Sequence, residues 1–144
     1  MATPNVFSGS LISRATTDQQ NNSRATFVTA LTASTALTPA QVFNGIVTSS
    51  GGAFTATLPT AATIGAALFG NLVVGDTIEL VINGLDANVV TLAVAAGITN
   101  PNANANALLT IIANGNFARF FLRCTVAPTN AAGLNTAFVV YRAG

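Results

Sequence analysis

A chain of 144 residues that carries five basic and four acidic side chains, with no lysine, histidine or tryptophan, has little with which to grip phosphate, bind zinc or relay a proton. Charged residues make up 6% of it and hydrophobic residues 51%, whereas ordinary domains are about 25% charged. This length fits one domain, and a net charge of +1 without a basic cluster excludes a nucleic-acid partner.

So little charge leaves two kinds of surface open: one solvated by threonine and asparagine, or one covered by other copies of the chain, since interface cores are depleted in charge. The segment MATPNVFSGS lacks the basic start and apolar run of a signal peptide, and no apolar run reaches 18 residues, so no membrane span is expected.

Met1–Arg24 is polar and irregular, and its apolar anchors are Val6, Phe7, Leu11 and Ile12. It reads as an N-terminal arm that either lacks order or docks on a partner through Phe7, Leu11 and Ile12. Residues 25–144 read as the folded domain. ATFVTAL (Ala25–Leu31) and QVFNGIVT (Gln41–Thr48) are the first strand-like runs. Ser49-Ser50-Gly51-Gly52 is a turn, and AFTATL (Ala53–Leu58) is expected to pair back on the run before it. Pro59 ends that strand, and Thr60 is placed to cap a short helix over Ala61–Phe69, with Ile64 and Leu68 on one face. Gly65 weakens this helix by up to ~1 kcal/mol relative to alanine.

Ile78, Leu80 and Ile82 in Gly75–Asn83, and Val90, Leu92 and Val94 in Asn88–Ala95, alternate with other residues around Gly84-Leu85-Asp86-Ala87. A period of two on both sides of a short turn predicts a β-hairpin. Gly97–Asn106 is expected as a loop, and it contains no carboxylate with which to hold calcium. Ala107–Ile112, Asn116–Val126 and Thr136–Arg142 complete the strands, with an Asn114-Gly115 turn after the first of them. The expected fold is all-β: an antiparallel β-sandwich, jelly-roll-like, of about eight strands with one short helix and the extended N-terminal arm.

No catalytic, cofactor-binding or metal site emerges. Asp76 and Glu79, three apart on one strand, fall on opposite faces and cannot pair as acid and base. Cys124, the single cysteine, falls on the apolar face of its strand and behaves as a small hydrophobe. The most distinctive pattern lies in NFARFFLRCTV: Phe117, Arg119, Phe121 and Arg123 share one face, opposite Ala118, Phe120, Leu122 and Cys124. Aromatic residues and arginine are enriched at protein interfaces, so the first face is either a subunit contact or a solvated surface. Glu79 is the natural ion-pair partner for one of these arginines.

The series LTPAQVFNGIVT (Leu37–Thr48), ATLPTAATI (Ala56–Ile64), VVGDTIELVIN (Val73–Asn83), VTLAVAAGIT (Val90–Thr99), FFLRCT (Phe120–Thr125) and FVVYR (Phe138–Arg142) resembles small β-sandwich surface proteins of virions. These are the decoration, cement and head-fibre proteins of tailed phages and large DNA viruses. The resemblance runs from about Ala30 to Gly144. It implies a non-enzymatic protein of the capsid surface that forms homotrimers and is fixed to the major capsid protein, or another virion protein, by its N-terminal segment. Met1–Arg24 carries no motif of that family. An extracellular filament or adhesin subunit assembled by strand addition is the alternative. A carbohydrate-binding module fits less well, because Tyr141 is the only tyrosine and such modules present aromatic platforms.

Overall fold

The computed structural model describes residues 28–43, 45–85, 89–101, 110–111 and 116–143. Among them the chain forms β1 (Val28–Leu31), β2 (Thr35–Ala36), α1 (Pro39–Val42), β3 (Gly45–Ser49), β4 (Phe54–Thr57) and α2 (Ala61–Ala67). There follow β5 (Thr77–Gly84), β6 (Val90–Ala93), β7 (Ile98–Thr99), β8 (Thr110–Ile111), β9 (Phe117–Val126) and β10 (Ala137–Ala143). The mostly-β expectation holds. The proposed arm, with Phe7, Leu11 and Ile12, lies outside the described residues, as does the Asn114-Gly115 turn.

The strands form a six-stranded sheet in the order β1-β3-β5-β9-β10-β7 and a smaller sheet in the order β2-β4-β6-β8. Both sheets are mixed, which corrects the antiparallel expectation. In the large sheet β1, β3 and β5 run parallel, β5, β9 and β10 antiparallel, and β7 parallel to β10. In the small sheet β2, β4 and β6 run parallel and β8 antiparallel to β6.

The hairpin expected around residues 84–87 is likewise corrected, as is the pairing of β4 on β3. From β1 to β6 successive strands alternate between the two sheets. Each strand–turn–strand unit is therefore an arch, with one strand in each sheet, and the arches stack in parallel. Val28 lies beside Ile46 and Ile46 beside Val81 in one sheet; Thr35 lies beside Ala56 and Ala56 beside Leu92 in the other. The bonding continues past the strand ends, with Ser50 N–H donating to Leu31 O at 3.0 Å and Leu85 N–H to Ser49 O at 3.1 Å. Alternation of side chains reports that one face is buried; it does not report which neighbour accepts the backbone hydrogen bonds.

That buried face is as the alternation placed it. Ile78, Leu80 and Ile82 of β5, Ala118, Phe120, Leu122 and Cys124 of β9, and Phe138 and Val140 of β10 enter one core with Phe54, Ala56, Val90 and Leu92 of the small sheet. Close-packed cores feel single methylene changes.

Two further differences have local causes. Residues 41–42 are helical, not extended, because Thr38 and Gln41 form a reciprocal capping box around Pro39 at the first turn. Thr38 N–H donates to Gln41 Oε1 at 2.7 Å, and the strand begins only at Gly45. Within the expected loop after residue 97, Ile98–Thr99 pairs with Phe138–Val139 as a two-residue edge strand, too short to show a period.

Helix α2 starts where the sequence placed it, with Thr63 N–H donating to Thr60 Oγ1 at 3.1 Å. Its Gly65 is buried against Thr136, where a Cβ would run into the Thr136 hydroxyl. Gly133, at φ +72°, packs on the same helix, where a Cβ would meet the Ala62 carbonyl and come within 2.5 Å of the Ala66 nitrogen. The helix-weakening Gly65 is thus a close-approach position.

Candidate interaction surface

The outward face of the large sheet takes its composition from the alternate residues of β5, β9 and β10. The register fixes its rows. Glu79, Phe121 and Tyr141 lie side by side in one row. Val81, Arg119 and Ala143 form the next row on one side, and Thr77, Arg123 and Val139 the next on the other. Phe117 and Asn83 extend the face at the start of β9. Phe117, Arg119, Arg123 and Tyr141 are exposed, while Glu79, Phe121, Val81 and Val139 are half-buried. The structure therefore brings Glu79, Phe117, Arg119, Phe121 and Arg123 onto one surface. Tyr141, Val81 and Val139 join them through strand pairing, which the sequence did not disclose.

Glu79 pairs with Arg119, whose Nε lies 3.6 Å from Glu79 Oε1, with the two side chains 57% and 42% exposed for Arg119 and Glu79 respectively. At that exposure the pair contributes roughly 0–1 kcal/mol to folding, so its service to the fold is small. Asp76 stands apart from this face: its Oδ2 accepts from Val73 N–H at 2.9 Å and closes the turn before β5.

Cys124 is buried on the inner face and donates from Sγ to Val126 O at 3.4 Å. Burial pushes its thiol above the ordinary range, and the nearby Asp76 charge pushes the same way. A thiol so placed is protonated at neutral pH and a poor nucleophile. Among the described residues no three of His, Cys, Asp and Glu gather as a metal-binding group, and no helix is long and apolar enough to cross a membrane.

The outward face combines flat aromatic area, two guanidinium groups and one carboxylate on a rigid backbone, with neither a nucleophile–base pair nor a metal-ligand set among these side chains. Compared with protein-family models, curated proteins and solved structures, the chain matches none.

Proposed function

We propose that this chain is a non-enzymatic structural protein of a particle surface, a decoration, cement or head-fibre subunit of a virion capsid. Its subunits associate as a homotrimer through the outward face of the large sheet, and Met1–Arg24 fixes them to the major capsid protein or another shell protein. The two sheets close over their shared core as a sandwich. The parallel runs β1-β3-β5 and β2-β4-β6 set that sandwich apart from a jelly roll, whose neighbouring strands are antiparallel.

One observation carries the proposal. In a chain with nine charged side chains, five basic and four acidic, two arginines and a glutamate stand with Phe117, Phe121 and Tyr141 on the face of the large sheet turned away from the core. Tyrosine and arginine are the residue types that dominate interface energetics, and the preformed sheet loses little freedom on binding.

A filament subunit assembled by strand addition is the second reading, favoured by the exposed two-residue strand β2, which ends the small sheet. The experiment that separates the two is electron microscopy of the purified protein, joined to co-sedimentation of full-length chain and a chain lacking residues 1–24 with shells of the source particle. Closed oligomers whose truncated form stays folded but no longer loads support the capsid role. Open fibres support the filament, and equal loading of both forms moves attachment to the folded domain.

A further inference from the structure

The two sheets have an open end in common. Their orders begin with β1 and β2, the two strands of the first arch, and among the described residues no strand lies beyond either. Strand parity shows which backbone groups face outward there. Leu31 O accepts from Ser50 N–H at 3.0 Å on the β3 side, and Leu37 N–H donates to Thr57 O at 2.8 Å on the β4 side. Backbone groups of successive strand residues point to opposite sides, so those of Ala30 and Ala36 face away from the stack, and both residues are exposed. This edge carries little that would deter pairing. Residues 25–75 contain no charged side chain, and β1 has neither a proline nor a bulge. At the far end of the large sheet, β7 is two residues long and runs into Asn100-Pro101. Edges that are neither shortened nor charged are normally covered.

A cover is at hand in the chain itself, because the residues that precede Val28 enter at this edge. Within them Val6-Phe7, Ser8-Gly9-Ser10 and Leu11-Ile12 repeat the order of the arches: apolar residues, a small turn, apolar residues, as in Ile46-Val47, Ser50-Gly51-Gly52 and Ala53-Phe54. The turn 8–10 matches in length the turn 32–34 between β1 and β2. After each of the first two arches the chain returns from the small sheet to the large one, through 37–44 and 58–76, and the stretch 13–27 lies between these two in length. A tethered segment also meets the edge at the high effective concentration of an intramolecular contact, which a second copy at micromolar concentration does not.

We infer that residues 6–12 add a further arch to the open end of their own chain's stack, with Val6-Phe7 beside β1 and Leu11-Ile12 beside β2. Laying the turn 8–10 over 32–34 fixes the register. Phe7 falls beside the buried Leu31, and Leu11 continues the inward row Thr35, Ala56, Leu92. Val6 falls beside the exposed Ala30 on the outer face. The inference concerns the free subunit and goes beyond the attachment proposed above; on a shell the same segment would exchange this edge for a partner's.

Amide hydrogen exchange on the full chain, isolated and dilute, tests it, in wild type and in a Phe7→Ser, Leu11→Ser double variant. A Val6→Cys, Ala30→Cys variant, oxidised and run on a non-reducing gel, reports whether the contact lies within one chain. The expected result is exchange at Ala30 and Ala36 at least about tenfold slower in wild type than in the double variant, and a bridge that closes within the monomer. Exchange in wild type as fast as in an unstructured peptide overturns the inference. So does slow exchange that the double variant leaves unchanged, which gives the edge to another occupant. A bridge that is absent, or formed only between chains, overturns the in-chain contact. Wild-type exchange and the bridge decide the matter if the double variant does not fold. Neither readout involves a shell, so failure of the attachment role leaves the inference standing, and its own failure leaves that role to the co-sedimentation above.

Discussion

The seat of helix α2 and the outward face of β5, β9 and β10 differ in what fixes them. At α2, glycines allow close approach: Gly133 lies on the backbone of Ala62 and Ala66, Gly65 lies under the Thr136 side chain, and Thr136 donates its hydroxyl to Gly133 O at 2.7 Å. On the outward face, side chains stand on a rigid sheet and touch solvent, with one exposed ion pair between them. The first region is determined by the fold and has no freedom to serve anything else. The second leaves Phe117, Arg119, Arg123 and Tyr141 exposed, and under the proposed function these are the side chains that meet a partner.

The largest expected effect breaks the first region. Gly133→Ala forces a side chain into the left-handed region and into the backbone of α2, and the strain and overpacking together cost about 4 kcal/mol. A thermal or urea melt reads it, and a loss below about 1 kcal/mol would show that the helix seat yields. Gly65→Ala is expected to cost about 2 kcal/mol: the new Cβ would meet the Thr136 hydroxyl and lie 2.8 Å from the Thr136 Cβ, but residue 65 keeps a helical backbone and alanine favours the helix by up to ~1 kcal/mol.

Ser49→Ala runs the other way. Ser49 Oγ is buried with no hydrogen-bond partner among the described residues, so removing it leaves the melt unchanged or raises stability by about 1 kcal/mol. Arg119→Ala sits at the bottom of the scale, below about 1 kcal/mol, because its ion pair with Glu79 is exposed. A larger loss in the monomer's melt would mean that the outward face does serve folding.

Cys124 offers an independent gauge of the same contrast. Its raised thiol pKa means that the folded state holds the proton more tightly than the unfolded chain, so this term is fully present at neutral pH. It is lost as pH climbs past the ordinary thiol range toward the raised folded value. Thiol labelling at pH 8 is therefore expected to be slow in wild type and faster in Gly133→Ala, with Arg119→Ala matching wild type.

Much of this contrast could be read in advance from residue order alone. Alternation in β5, β9 and β10 placed Phe120, Leu122, Cys124 and Phe138 inside and Phe117, Arg119 and Arg123 outside, because a strand's two faces are set by parity. Thr60 announced α2 because its hydroxyl accepts an otherwise orphaned N–H. The arches were not legible: hairpin and arch have the same alternation, and partner choice is settled by tertiary packing. Nor did local propensity reveal why Gly65 stands in a helix, since the reason, Thr136, is 71 positions away in the chain. Tyr141 was invisible as a member of the surface until β10 was paired with β9 in register.

In the proposed function the outward face of the large sheet carries subunit association. Light scattering coupled to size exclusion, on wild type and on a Phe117→Ser, Arg123→Glu double variant across micromolar concentrations, tests it most directly. An oligomer, most simply a trimer, is expected for wild type, whereas the double variant is expected to dissociate yet still unfold cooperatively, losing only the stability that association supplies. A wild type that elutes as a monomer throughout, or a double variant that remains fully assembled, contradicts it.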